Sequence, residues 1–206
     1  LGTLDTKGEQ ILFLKNRITQ RGHQAVVVDL SMGGEPLFQA EITSQEIALA
    51  GGKRIEEVKA SKDRSMVTRV MEGGAIKKIG EWYSEGRVDG IIAVGGASMA
   101  LMGAHIMEGF AFGVPKIIVC PAAMPAYIRY WFGTMDVAIM QSIVEFAGLN
   151  DLLKDVLGRA AGAICGMVEE ASPSGTLRVP KGSIAMTQFG FSEDCARYVR
   201  QYLEER

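Results

Sequence analysis

The sequence predicts an α/β fold, a mostly parallel sheet with helices on both faces. Three observations carry this. Short β-branched runs alternate with segments of helical periodicity. The runs end in glycine-rich turns, and glycine makes up 25 of 206 residues, about 12% where about 7% is ordinary. Aromatic residues are only 7% of the chain and no low-complexity tract is present. Glycine in this setting serves tight βα turns and close backbone approaches.

The elements follow in order. Leu1 to Leu4 reads as the end of a strand, and Asp5 or Thr6 can cap a helix with the apolar stripe Ile11, Leu12, Leu14 and Ile18. Gly22 ends that helix. Ala25 to Leu30 is a β-branched run read as a buried strand that opens into the loop Ser31 to Pro36. Thr43-Ser44-Gln45-Glu46 has the form of a capping box for a short helix through Ala50. A short helix near Ile55 to Lys59 precedes a longer one from about Asp63 to Glu85, which Gly73-Gly74 is expected to interrupt. Val88 to Val94 is the next strand, turning at Gly95-Gly96-Ala97-Ser98 into a helix to Ala111. Lys116 to Cys120 is a fourth strand, followed by a long loop to Asp136. Helices are expected over Val137 to Phe146 and Leu149 to Val168. A strand near Ser183 to Thr187, a turn at Gln188 to Gly190 and a helix from Ser192 close the chain.

Composition narrows the function classes. The formal net charge is −2, so direct nucleic-acid binding is not expected of a chain without a basic excess. Hydrophobic residues at 48% and charged residues at 22% describe a folded chain with a core. The cysteines Cys120, Cys165 and Cys195 form no CxxC pair, which suggests neither a disulfide framework nor a metal site. The longest apolar stretch, Ile117 to Ile128, is broken by Pro121 and Pro125 and is too short for a bilayer. With no signal-peptide pattern at Leu1, a cytoplasmic location is expected. Both ends look cut, which suggests a piece of a longer polypeptide.

Ligands of parallel sheets bind beyond the carboxyl ends of the strands. The loops to watch are therefore Thr3–Gly8, Ser31–Gly34 with Gly33, Gly95–Ser98, Pro121–Asp136 and Thr187–Ser192. Gly95-Gly96-Ala97-Ser98 is the sharpest signal: paired glycines admit a ligand to the backbone, and a helix start offers free N–H groups to an anion. The same turn is also what an ordinary βα connection with Ser98 as cap would look like. Asp5-Thr6-Lys7-Gly8 reads either as a helix cap or as a contact to a sugar hydroxyl or phosphate. Neither GxGxxG nor a P-loop is present. Asp136, near Arg129, Tyr130 and Trp131, could line a nucleobase or ribose wall or pack on a partner. Cys120 at a strand end is more often a small core residue than a nucleophile. Gly158, Gly162 and Gly166 form one small-residue helix face suited to close packing within the chain or across a dimer.

Taken together, Leu1 to Glu9, Val88 to Gly96, Val114-Pro115-Lys116, Asp136 to Met140, Ala147 to Asn150 and Ala160 to Ala163 resemble one family. It is the ATP-binding domain of the plant tobamovirus-resistance protein and its uncharacterised bacterial and fungal relatives. The resemblance implies a Rossmann-like three-layer sandwich, with residues 1–170 as a first subdomain, 171–182 as a linker and 183–206 as the start of a second. It implies a nucleotide site, with ATP and magnesium, near the subdomain interface. Asp5, Thr6, Lys7, Gly33, Gly95, Gly96, Ala97 and Ser98 would line it, and Thr187 and Gly190 would close it. It also implies a TIM-barrel partner domain. The family's turn is typically Gly-Gly-Ser-Gly-Gly-Thr; here Ala97, Met99 and Ala100 depart from it. Two other readings stand beside this one. One is an enzyme acting on a small phosphorylated or acidic sugar-like metabolite, with Lys7 and Asp136 as acid and base. The other is a homo-oligomeric, dimeric assembly module using the Gly158–Gly166 face and the aromatic loop Tyr127–Phe132.

Overall fold

The structure, a computed structural model, describes residues 1–122, 130–171 and 182–205. It divides into two compact units, Leu1–Thr176 and Leu177–Arg206.

The first unit is built on parallel strands β1 (Ile91–Val94), β2 (Lys116–Cys120) and β3 (Ala138–Gln141), in that spatial order. Register sets Ile91 beside Lys116 and Ile117 beside Ala138. Backbone hydrogen bonds extend the ladder past β1. Leu1 donates to Ile92 O at 2.6 Å and accepts from Val94 N at 3.1 Å, a parallel pairing. Parallel bridges then join Gly2 to Asp29 and Val28 to Ile42. In chain order the sequence of segments across the sheet is third, second, first, fourth, fifth, sixth. The order reverses between Leu1–Gly2 and β1, which makes the gap between them the topological switch point.

Helices cover both faces. α1 (Leu4–Thr19) and α6 (Asp151–Glu170) pack on one side, where Leu4, Ile11, Leu14, Leu153, Leu157 and Ala161 share a core with Ile117 and Val119. α2 (Ser44–Ala50), α3 (Ile55–Ala60), α4 (Arg64–Ser84) and α5 (Ala97–Glu108) pack on the other, against Ile91, Ala93, Ile118 and Cys120. Alternate residues of each strand thus feed opposite cores, as the period of two requires. This is the three-layer sandwich with a parallel sheet expected from the sequence.

The capping box opening α2 forms as expected: Thr43 Oγ1 accepts from Glu46 N, and Glu46 accepts from Thr43 N. Three expectations change. Gly73-Gly74 does not interrupt α4, because Gly74 is where α2 crosses it. A Cβ on Gly74 would lie 1.9 Å from Ile47 O, so the missing side chain is what lets the helices approach. The segment 137–146 is not a helix. Residues Ala138–Gln141 pair with β2 as a strand, because a short apolar run is decided by the ladder available to it. The run 25–30 contributes only bridges at Val28 and Asp29.

The second unit holds a 3-10 turn (Gly190–Ser192) leading into α7 (Glu193–Glu204). The expected strand at 183–187 is irregular backbone, and no other strand among the described residues of this unit offers it a ladder. Residues 172–181 of the linker expected at 171–182, and the loop residues 123–129 with Tyr127 and Arg129, lie outside the described residues.

Candidate functional site

The carboxyl edge of the sheet gathers four turns. The first follows Gly2. Leu4 N donates to Asp29 Oδ1 at 3.1 Å, so the start of α1 is capped by a carboxylate from the neighbouring segment rather than by its own Thr3. Thr3 and Thr6 share a hydroxyl hydrogen bond of 2.8 Å. Lys7 interrupts the helical geometry of α1, at φ −129° and ψ 21°. Its Nζ donates to Phe146 O at 2.5 Å, and Gln10 donates to Gly148 O at 2.8 Å. Together they strap the loop after β3 to α1. Lys7 is half-buried at this edge, and an ammonium has three donors, so one bond does not exhaust it.

The second turn follows Val28–Asp29. Asp5 N donates to Ser31 Oγ at 3.0 Å, and Gly34 N donates to Asp5 Oδ2 at 3.0 Å. Asp5 and the exposed Gly33 therefore do meet, through the Gly33–Gly34 backbone. The residue sequence reasoning missed here is Asp29, which is buried together with Ser31 of the expected loop. The available signal was an Asp-x-Ser at the end of the β-branched run.

The third turn follows β1. Gly95 has φ +154°, and a Cβ there would sit 2.7 Å from Met99 Cβ, so glycine is required. Gly96 caps α5 without a side-chain bond, and nothing lies within 4 Å of where its Cβ would be. The first intrahelical bond runs from Ala100 N to Gly96 O, which leaves the amides of Ala97, Ser98 and Met99 unpaired within the helix. Ala97 and Ser98 are exposed. Met99, the bulky departure from the family's turn, is only 7% exposed and packs inward against Gly95 and Gly103. It does not cover the helix start.

The fourth turn follows β3. Ser142 N donates to Cys120 O, and Ser142 Oγ to Val144 O. Between them Ile143 has φ +67° and is 69% exposed. A β-branched residue in the left-handed region is strained, and such strain gathers at binding sites. Nothing in Ser-Ile-Val announced it.

The other candidates separate from this edge. Asp136 lies at the opposite, amino edge of the sheet, before β3. Its Oδ1 accepts from Lys116 Nζ at 2.8 Å and its Oδ2 from Gly113 N at 2.5 Å. The Lys116 ammonium, 0% exposed, also donates to Ala111 O and Val114 O, so all three donors are used. Burial alone would raise the Asp136 carboxyl, but the bonds from Lys116 and Gly113 outweigh it and hold it below the usual carboxylate range. The length of β2 puts about 13 Å between this pair and the carboxyl edge. Lys7 and Asp136 do not share a site, which removes them as an acid-base pair.

Cys120 is buried at the end of β2, and burial pushes its thiol up, away from nucleophile behaviour. His105 pairs with Glu72 across α4 and α5, not with Cys120. The Gly158–Gly162 face of α6 lies against Arg17 and Arg21 of α1, so its close packing is at least partly internal. Thr187 and Gly190 are exposed residues of the second unit. No described helix is long and apolar enough to cross a membrane.

Comparison with known proteins places the chain in a family. Residues 1–173 match the N-terminal domain model of an uncharacterised protein family, UPF0261. A UPF0261 protein of Clostridium tetani is 33% identical over 99% of this chain and 50% of its own length. One from Brucella suis is 30% identical over 97% of this chain and 47% of its own. The tomato ToMV susceptible protein tm-1 is 23% identical over 98% of this chain and 29% of its own. The chain spans about half the length of the bacterial relatives it matches. The chain belongs to the UPF0261 family, and its residues 1–173 are that family's N-terminal domain.

Proposed function

We propose that this chain is the nucleotide-binding part of a longer protein, with ATP as its ligand and the ligand's phosphates at the start of α5. The observation that carries the reading is the placement of α5. It begins at the topological switch point with the Ala97, Ser98 and Met99 amides unpaired within the helix, Ala97 and Ser98 exposed and the Met99 side chain packed inward. Oriented amides at a helix start favour an anion through both hydrogen bonds and the helix dipole. Lys7 adds a positive charge at the same edge.

These residues fit a phosphate-bearing group. Gly96, with nothing within 4 Å of where its Cβ would be, keeps the approach to the backbone clear, while the Met99 side chain is packed against the buried Gly95. Among the described residues no group of three or more His, Cys, Asp or Glu stands ready to hold a metal alone. Magnesium would arrive with the phosphates and keep most of its waters. The remaining half of the longer relatives would supply whatever reaction the whole protein performs.

Calorimetric titration of the full-length protein with ATP and magnesium tests the reading. Saturable binding below millimolar ATP is expected. Ala97→Asp should keep the fold, since a carboxylate in a first helical turn is favourable, yet weaken ATP at least about tenfold by repelling phosphate. Absence of binding at millimolar ATP would refute the proposal.

A further inference from the structure

The two sides of the switch point offer opposite hydrogen-bonding characters. On the α5 side are donors: the first-turn amides and the Ser98 hydroxyl. On the other side, at Asp29, the nearest donors are already used. Ser31 Oγ donates to Asp29 Oδ1 at 2.5 Å, Ser31 N donates to it at 3.0 Å, and Leu4 N at 3.1 Å. Gly34 N is committed to Asp5. What remains at Asp29 itself is acceptor capacity.

Asp29 makes this specific. Its residue is 2% exposed, and all three donors converge on Oδ1. No described residue donates to Oδ2. Yet among the described residues no fully enclosed side-chain oxygen or nitrogen lacks a partner. Oδ2 therefore reaches solvent through a narrow opening, at the loop cluster where Oδ1 is pinned over the start of α1. A buried carboxylate with one oxygen fixed and the other open is a strong acceptor for a hydroxyl donor. A phosphate at the same point would meet the negative charges of Asp29 and Asp5.

We propose that Asp29 binds the ribose hydroxyls of the ligand, through Oδ2, and so orients it across the switch point. The inference rests on the nucleotide reading above. The Val28–Asp29 segment and β1 flank Leu1–Gly2, so the hydroxyl and phosphate positions lie two strand spacings apart, about 10 Å. That separation suits a ribose at one end and a phosphate chain at the other. The arrangement favours molecules that carry both, so a bare polyphosphate should bind through the α5 side alone and more weakly than ATP.

The test uses three probes on the full-length protein by calorimetry: ATP, 2′,3′-dideoxy-ATP and inorganic tripolyphosphate. Wild type should bind ATP at least about tenfold tighter than the dideoxy analogue, the loss expected for a charge-assisted hydrogen bond. Asp29→Asn keeps an acceptor for Leu4 and Ser31 but replaces the open oxygen by an amide donor. It should weaken ATP by a similar factor, abolish discrimination between ATP and the dideoxy analogue, and leave tripolyphosphate within about threefold. Equal wild-type affinity for ATP and the dideoxy analogue overturns the assignment. So does an Asp29→Asn variant that weakens tripolyphosphate as much as ATP, which would make Asp29 a helix cap only. Failure of both ATP and tripolyphosphate to bind wild type overturns the nucleotide reading, and this inference with it. If Asp29→Asn melts early and cannot be titrated, the wild-type comparison decides alone.

Discussion

Two adjacent glycines in α4 should respond oppositely to one added methyl group. Gly73 is exposed, and nothing lies within 4 Å of where its Cβ would be. Gly73→Ala therefore gains only helix propensity and lost unfolded-state freedom, about 1 kcal/mol of stabilisation. Gly74 is buried at the crossing with α2, where a Cβ would sit 1.9 Å from Ile47 O and 2.9 Å from Gly51 N. Those atoms belong to the α2 backbone, and Gly51 N already donates to Ile47 O at 3.0 Å. Neither can swing aside as a flexible side chain would. Overpacking of this kind costs about 3 kcal/mol, and the propensity gain offsets about 1, leaving about 2 kcal/mol of net destabilisation. The two variants should then differ by about 3 kcal/mol, or about 6–12 °C in thermal midpoint for a chain of this size. Urea unfolding followed by far-ultraviolet circular dichroism measures both. Shifts of the same sign, or a Gly74→Ala variant no less stable than wild type, would refute the account of Gly74 as a close-crossing residue.

The remaining expectations concern the amino edge and α6. Asp136→Ala should cost about 3 kcal/mol by leaving the buried Lys116 ammonium without its counter-charge, whereas Lys116→Met should cost less than half as much, since the half-buried Asp136 keeps its Gly113 bond and can take water. Urea midpoints of the two variants decide, and equal losses would contradict the asymmetry. Because the folded Asp136 carboxyl is held below its ordinary range, its stabilisation is complete above about pH 4 and is lost as pH falls through the depressed value. The midpoint of Asp136→Asn should accordingly fall less steeply between about pH 5 and pH 2 than that of wild type. Gly162→Ala should be tolerated within about 1 kcal/mol, because its Cβ would meet only the movable Arg21 guanidinium. Thermal melts check this, and a loss like that of Gly74→Ala would show that the Arg21 contact is rigid.

How much of this was legible depended on the range of the interaction that decides each feature. Helix starts are local chemistry. Thr43 and Glu46 satisfy each other three residues apart, so the capping box could be read directly and formed as read. The strands β1 and β2 are apolar enough to be buried on both faces wherever they lie. By contrast, Ala138–Gln141 carries no pattern that excludes a helix, and only pairing with Ile117–Cys120 makes it a strand. The double glycine of α4 reads as a break because its cause, the backbone of α2, is more than twenty residues away in sequence.

The candidate site divides in the same way. Gly95, Gly96 and Ser98 were visible because a strand, a glycine pair and a helix start are contiguous. Asp29 was not, since its importance comes from Leu4 and Ser31 both turning to one of its oxygens. Asp136 seemed available because a sequence shows a carboxylate without its counter-ion; Lys116, twenty residues earlier, is buried beside it. The sequence by itself determined the class of fold and the loops in which binding chemistry could sit, because propensity, patterning and capping act over a few residues. Only the tertiary structure decided which carboxylates are committed to the fold and which retain an open oxygen. Charge neutralisation and hydrogen-bond satisfaction are settled between segments that the chain order keeps apart.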